Sequence, residues 1–441
     1  MPSAISGAPA HCPYAAAPIR KATAHRAAPL GPLGPLGPLG PLAPLGPLGL
    51  HASVLTALLA ASSAPTPLYP LYQDRWDLSA LTITVIFSAY ALALLLALLT
   101  VGALSDHLGR RPVLLGALIL EAGSMALLAT ADGAGPLIAA RVLQGAATGA
   151  ATSASGAALL DLEDPLRPGR PALINSITPV AGMAAGVLAS TLLIALSPAP
   201  TVTVYLLLAA LFVAQAAAVA RAAETGHRRP GALRSLRPRL GLPPSARGAL
   251  LTVGTGVVAV WALGGLYSSL GPALVRLVAP GTPPPAGGMV FFTVGAAAAL
   301  TVWTLRRTAP GAAATGGCLA VIPSAALSLA ALHGAGPLAL FGGAALAGVA
   351  FGAVSQGALR LLLASLDERD RATTVAAYYV LSYLSMSLPA IAAGAATQHY
   401  GLRTACHAYA IGAAVLAAAA VAALTATRRR NAPRTTNALP R

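Results

Sequence analysis

Residues 102–112 read GALSDHLGRRP. The stretch joins two apolar runs, 80–104 and 112–131, and it is the only strongly polar interval between them. Gly109 permits a tight turn, and Gly102 permits close approach of neighbouring helices. Asp106 sits within five residues of two guanidiniums, Arg110 and Arg111, a grouping suited to charge-assisted hydrogen bonds. Each flanking run has the roughly 20 residues an α-helix needs to cross a ~30 Å hydrocarbon layer.

Working outward, twelve such runs follow one another from residue 51 onward. In the first half they cover 51–71, 80–104, 112–131, 136–159, 171–196 and 202–221. In the second they cover 248–275, 287–305, 311–332, 336–364, 372–397 and 404–426. The residue totals agree: 56% of the chain is apolar and 9% is charged, against about 25% charged in soluble domains. The reading is an all-α membrane protein of twelve transmembrane helices in two six-helix bundles, 51–221 and 248–426. A polar connection, 222–247, joins them. Residues 1–50, with a Gly-Pro-Leu array from Gly31 to Leu48, read as a disordered tail. Residues 427–441 read as a basic tail.

The net charge of +16 does not describe a nucleic-acid surface, because the basic residues lie between the apolar runs. With both termini cytoplasmic, 24 of the 28 fall in inner segments. Only Arg75, Arg276 and Arg403 fall outside, and Arg141 alone lies within a run away from its inner end. This asymmetry follows the positive-inside rule. No AxA-type cleavage site follows a short apolar core near the start, so the first span is expected to act as the insertion signal.

The order Gly102, Leu104, Asp106, Gly109, Arg110, Arg111 resembles the major facilitator signature G-x-L-a-D-r-x-G-r-r. The resemblance implies a secondary transporter in which this loop latches the two bundles. Asp106 is then expected to face the amino end of the eleventh helix near Thr373 and Thr374, holding an outward-open state. A weak internal repeat fits two related halves: GAATG between Gly145 and Gly149 recurs as GVAFG between Gly348 and Gly352. Further along each half, a proline stands among small residues at Pro179, with Gly182 and Gly186, and at Pro389. These positions suit helix bending and close packing.

In the fourth run Arg141, Gln144 and Gly145 resemble the R-x-x-Q-G pattern of the family's drug–proton antiporters. An arginine at membrane depth costs about 2.5 kcal/mol or more, so it faces a wet cavity or a partner. Glu121 is the only acid well inside a run and is the protonation candidate. At about 1.5 Å per residue it lies within roughly 8–10 Å of Arg141 along the membrane normal, within reach of a long-armed ion pair. The fifth run matches the antiporter signature only in part, because Asn175 and Thr178 stand where glycines are usual. The first run lacks an internal aspartate. Cavity candidates implied by the fold are Tyr69, Tyr72, Tyr90, Trp261, Tyr267, Ser268, Gln356, Tyr378, Tyr379 and Tyr383. Aromatic rings with polar tips on an apolar wall suit amphipathic ligands.

No phosphate-cradling G-x-x-x-x-G-K-[ST] loop occurs, and Cys12, Cys318 and Cys406 lack metal-site spacing. No cofactor, metal, nucleic-acid partner or enzymatic activity is expected. The expectation is a monomeric, proton-coupled exporter of small amphipathic molecules in a bacterial inner membrane, with uptake, uniport or a non-transporting receptor as alternatives.

Overall fold

In hydrocarbon a backbone without water has to satisfy its own polar groups, and a Leu- and Ala-rich run does so as an α-helix. The computed structural model describes residues 46–226, 228–238, 244–283, 285–364, 366 and 368–431, and no strand occurs among them. The expected tail up to residue 45 and the last ten residues lie outside the described residues.

Helix α1 spans Pro47–Ser63 and continues through a tight turn, Thr66–Leu68, into Tyr69–Trp76. There follow α2 (Ala80–Thr100), α3 (Arg110–Ala129), α4 (Ala134–Asp161), α5 (Arg170–Leu196) and α6 (Pro200–Arg221). The second set opens with α7 (Pro244–Ser269), α8 (Ala286–Thr304), α9 (Pro310–Ala330) and α10 (Gly336–Ala364). A continuous helical stretch, Glu368–Asn431, breaks at Gly401 (φ 80°) into α11 (368–400) and α12 (402–431). Proline in the first turn opens α1, α5, α6 and α9, where its missing N–H leaves no bond unmade. Ser79 caps α2 by accepting from the Thr82 N–H at 3.1 Å.

Nine described segments are long and apolar enough to cross a membrane, and two of them, Pro310–Ala364 and Thr373–Thr427, have 55 residues each. Both fold back. At His333 and Gly334 the backbone leaves helical geometry, and α9 and α10 then run antiparallel. A Cβ at Gly317 would meet Val354, and one at Gly343 would meet Ser328. Likewise α11 and α12 run in opposite directions along α7. Gly254 and Gly265 face Leu381 and Met386, whereas Gly256 faces Ala420, and the Tyr409 hydroxyl donates to the Ala262 carbonyl at 2.8 Å. With α4, which carries Arg141, the described residues hold twelve helical segments of spanning length.

The boundaries differ from the sequence expectation in two useful places. Helix α1 starts at Pro47, inside the stretch assigned to the tail. The second helix stops at Thr100, and residues Leu104–Leu108 form a separate short helix ending at Gly109.

Glycine sets the packing. A Cβ at Gly145 would stand 2.2 Å from the Tyr90 carbonyl oxygen and one at Gly149 would stand 2.7 Å from Ala97 Cβ, so α4 lies backbone-close to α2. The same arrangement recurs for α10 on α8, where Gly348 and Gly352 stand against Val294 and Ala298. Gly182 and Gly186 bring α5 against Thr56 and Ala60 of α1. Such contacts replace the hydrophobic effect, which lipid cannot supply between helices.

Helices α1–α6 meet α7–α12 along two seams, α2 with α11 and α5 with α8. A Cβ at Gly394 would lie 2.1 Å from Thr84 Oγ1, and one at Gly288 would lie 2.2 Å from Thr191 Oγ1. Gly295 stands against Ala184, and Ser88 Oγ donates to the Ser387 carbonyl at 3.3 Å. All of these fall toward one end of the molecule, where α2 and α8 begin and α5 and α11 finish. At that end Arg276 also reaches Asp74 at 3.1 Å and Gln73 at 3.2 Å. Toward the opposite end the packing of α2 on α11 reaches Tyr90 and Leu94 against Tyr383 and Met386.

Candidate functional site

The signature loop folds as a clamp at the end away from the closed seams. Gly109 adopts φ +101°, a conformation that favours glycine. Its missing side chain also makes room for Glu224, because a Cβ there would stand 2.5 Å from Glu224 Oε2. Glu224 accepts from the first N–H groups of α3, at 2.8 Å from Arg110 and 3.2 Å from Arg111, where unpaired donors and the helix dipole favour an anion. Partial burial works against its charge, but backbone N–H groups of Gly226, Arg110, Arg111 and Thr225 hold its carboxyl below its ordinary value.

The Arg110 guanidinium pairs with Asp106 in its own loop and with Asp161 at the end of α4 at 3.2 Å, and it also donates to Ser105. Arg111 donates to the Ala220 carbonyl. The connection after α6 is bound in turn: the Arg229 N–H donates to the Asp106 carbonyl at 3.1 Å. The Nδ1–H of His107 donates to the carbonyls of Arg229 and Pro230. Gly102 accepts through its carbonyl from Ser153 Oγ at 2.5 Å. The expected contact of Asp106 with the start of α11 is not made in this arrangement. Thr373 and Thr374 donate instead to the Asp370 carbonyl, and Asp106 stays with Arg110. Among the described residues the loop helix packs instead on α3 and on the connection after α6.

Deeper in α1–α6 lies a buried polar cluster. Arg141, 1% exposed, donates through Nη1 to Gln144 Oε1 at 2.5 Å and to the Ser62 carbonyl at 3.2 Å. Its guanidinium carbon lies 4.3 Å from the centre of the Tyr90 ring, a cation–π contact. Glu121 is fully buried, and its carboxylate accepts from the Thr148 hydroxyl at 3.3 Å. Among the described residues the two charges make no direct ion pair. Arg141 bonds Gln144 and Glu121 is bonded by Thr148, both of α4, so each charge has its own partner on that helix.

Across the seam stands an aromatic wall. Tyr383 packs against the cluster of Tyr90, Ala91 and Leu94 and lies 5.2 Å from Trp261 between ring centres. Trp261 lies 5.2 Å from Phe351, and Tyr379 lies 6.1 Å from Tyr383. Gln356, half-buried on α10, donates to the Val302 carbonyl at 3.4 Å. Two cavity candidates fall elsewhere. Tyr267 is buried with its hydroxyl 2.7 Å from Ser328 of α9, and Tyr72 is buried with its hydroxyl donating to Tyr205 at 2.9 Å. Both pack within a helix set because the rotation of each helix turns them away from the seam. Pro179 and Pro389 lie inside α5 and α11, each on a helix that builds a seam.

Sequence reasoning missed Glu224, Asp161, His107, Thr148 and Phe351. Glu224 had a signal: it is the only acid between Arg221 and Arg247. A lone carboxylate in so basic a connection has guanidiniums and helix ends to answer.

A family model described as Major Facilitator Superfamily matches residues 52–388. The tetracycline resistance protein, class C, of Escherichia coli is 34% identical over 154 residues, which are 35% of this chain and 39% of that protein. The chain therefore spans about two-fifths of the length of that relative. Among solved structures, a bacterial homologue of the human lysosomal transporter Spinster, inward-facing and unoccupied, superposes with a TM-score of 0.68 at 13% identity, covering 87% of this chain and 97% of that one. The nucleoside transporter NupG superposes at 0.67 with 14% identity, covering 85% and 99%. The signature loop, the helical architecture and the family match over residues 52–388 together establish that the chain belongs to the Major Facilitator Superfamily.

Proposed function

We propose that the chain is a proton-coupled secondary transporter that exports a small amphipathic molecule across a bacterial inner membrane by alternating access between 51–221 and 248–426. The observation that carries the reading is the one-sided seam. Gly288 and Gly394 bring the two helix sets together at the end bearing Asp74 and Arg276, while the signature loop at the other end is clamped to its own half. An alternating-access transporter needs two such ends that close in turn.

The positive-inside distribution supports both termini on the cytoplasmic side, which makes the closed end the outer one. In the opposite arrangement Asp106 leaves Arg110 and caps α11, as a latch. Glu121 and Arg141 supply the only carboxylate–guanidinium pair of charges buried at membrane depth among the described residues, so they are the proposed protonation centre. Export is supported by the resemblance of Arg141, Gln144 and Gly145 to the antiporter pattern and by the tetracycline resistance relative. The protein works as a monomer with lipid as its only other partner.

Proteoliposomes containing the purified chain and an imposed proton gradient test this. A compound panel is expected to yield at least one substrate whose flux follows the gradient and collapses with a protonophore. Flux indifferent to the gradient would remove the proton coupling, and no flux of any compound would favour a receptor of the same fold.

A further inference from the structure

The buried cluster around Arg141 is rich in donors that nothing accepts. Arg141 uses one of its three nitrogens; Nε and Nη2 are buried without a hydrogen-bond partner. The hydroxyls of Tyr69 and Tyr90 are likewise buried and unpartnered, and both side chains are at least nine-tenths buried. A buried guanidinium with two unsatisfied nitrogens is far from its energetic minimum, because each orphaned polar group costs about 1–3 kcal/mol, more when charged.

Glu121 does not resolve this. Its carboxylate accepts from Thr148 and leaves the free nitrogens of Arg141 unoccupied. It offsets charge at a distance without filling the donor positions. Tyr90 covers the guanidinium with its ring at 4.3 Å, and the cluster it forms with Ala91 and Leu94 has Tyr383 packed against it at the seam. Beyond Tyr383 the aromatic wall continues through Trp261 to Phe351. A planar apolar body on that wall would therefore place a polar end against Tyr90, and a shift of the Tyr90 ring would open the donors behind it.

The geometry points to a binding site for an organic acid: an aromatic or otherwise planar amphipath whose carboxylate, or an equivalent anionic oxygen pair, docks on Arg141 Nε and Nη2. Its ring system stacks on Trp261, Tyr383 and Phe351. Guanidinium and carboxylate match in a two-bond fork, the strongest of the ordinary side-chain recognition geometries. Tyr69 and Tyr90 supply further O–H donors. A cationic ligand meets Arg141 as a like charge and a wall already facing one guanidinium. The inference rests on the transporter reading only in taking the bound molecule as cargo.

Binding to the full chain in detergent micelles, measured by calorimetry with naphthoate, naphthamide and naphthylmethylammonium, tests it apart from transport. Naphthoate is expected to bind at least about tenfold tighter than the amide, the share of one charge-assisted bond, and the ammonium probe weakest. Arg141→Lys keeps the charge but loses the fork and is expected to remove most of the preference. Because a buried arginine is a risky site to alter, Tyr90→Phe and Tyr69→Phe serve as milder variants. Each keeps the ring and is expected to narrow the acid-over-amide ratio severalfold.

Equal binding of acid and amide, a preference for the ammonium probe, or no saturable binding of any of the three would show that the free donors hold water alone and would overturn the site. Acid-selective binding without flux in proteoliposomes would keep the site and remove the transporter reading. Flux without acid selectivity would do the reverse.

Discussion

Glu224 accepts a 2.8 Å hydrogen bond from the backbone N–H of Arg110, across 114 residues of chain. That one carboxylate caps α3 at the end of the signature loop and ties down the connection after α6. A Cβ at residue 109 would stand 2.5 Å from its Oε2.

Gly109→Ala is therefore expected to fail twice, through a strained φ and through collision with Glu224. Strain of this kind costs about 1–3 kcal/mol. Limited proteolysis of the connection around residues 224–238 is the measurement: cleavage there is expected to accelerate in Gly109→Ala and, to a lesser degree, in Glu224→Gln. Unchanged cleavage in both would mean that the clamp does not hold the connection.

The cap also sets a pH dependence. The folded carboxyl of Glu224 lies below its ordinary value of 4.5, so it stabilises the clamp fully above that value. The contribution fades as pH falls through the lower folded value. The difference in protease resistance between the natural protein and Glu224→Gln is expected to be constant at neutral pH and to shrink on acidification below about pH 4.5. A difference that grows on acidification would contradict the cap.

The closed end depends more on glycine than on charge. Asp74 and Arg276 are largely solvent-exposed, and an exposed pair contributes roughly 0–1 kcal/mol. By contrast, a side chain at Gly394 or Gly288 would overlap Thr84 or Thr191 at little more than 2 Å. Asp74→Ala is thus expected to leave the arrangement nearly unchanged, while Gly394→Val biases the protein toward opening at this end. Labelling of a cysteine placed at Ser88, on the α2–α11 seam, reads the outcome. Faster labelling from outside in Gly394→Val but not in Asp74→Ala is the expected result.

Much of this architecture was legible because each span is a local property. A run of apolar residues has to be a helix in hydrocarbon, and arginine-rich and arginine-poor intervals alternate between the runs, so the twelve windows fall close to the helices found. Gly145, Gly149, Gly348 and Gly352 were readable as a repeat between the halves, and the fold adds that each pair packs one helix against another. What escaped were facts of rotation and of distant pairing. Tyr267 and Tyr383 look alike in sequence, yet a turn of about 100° per residue sends one to Ser328 and the other to the seam. Glu224 needed knowledge that α6 ends beside α3. Arg141 and Glu121 were placed at matching depth, but only the fold shows that one bonds Gln144 and the other Thr148.

Glu121→Gln separates coupling from movement. The amide keeps the volume and can still bond Thr148, so folding is expected to survive, whereas the site can no longer gain or lose a proton. Flux driven by a proton gradient is expected to fall at least about tenfold, the loss of one essential proton-transfer group, while exchange of labelled for unlabelled substrate at equal pH continues. Loss of both activities would make Glu121 a structural residue.

Asp106→Asn probes the arrangement that this structure does not show. Here Asp106 is 43% exposed and pairs with Arg110, which also has Asp161 and Ser105. Losing one exposed partner of three changes stability by about 1 kcal/mol or less. If Asp106 acted only here, the substitution would be nearly silent. A latch on the first turn of α11 needs the full negative charge, because the helix end offers a dipole and unpaired N–H groups that an amide answers far less well. Transport is therefore expected to collapse in Asp106→Asn while thermal stability and membrane insertion stay close to normal. Unchanged transport kinetics would confine Asp106 to the loop and remove it from the gating cycle.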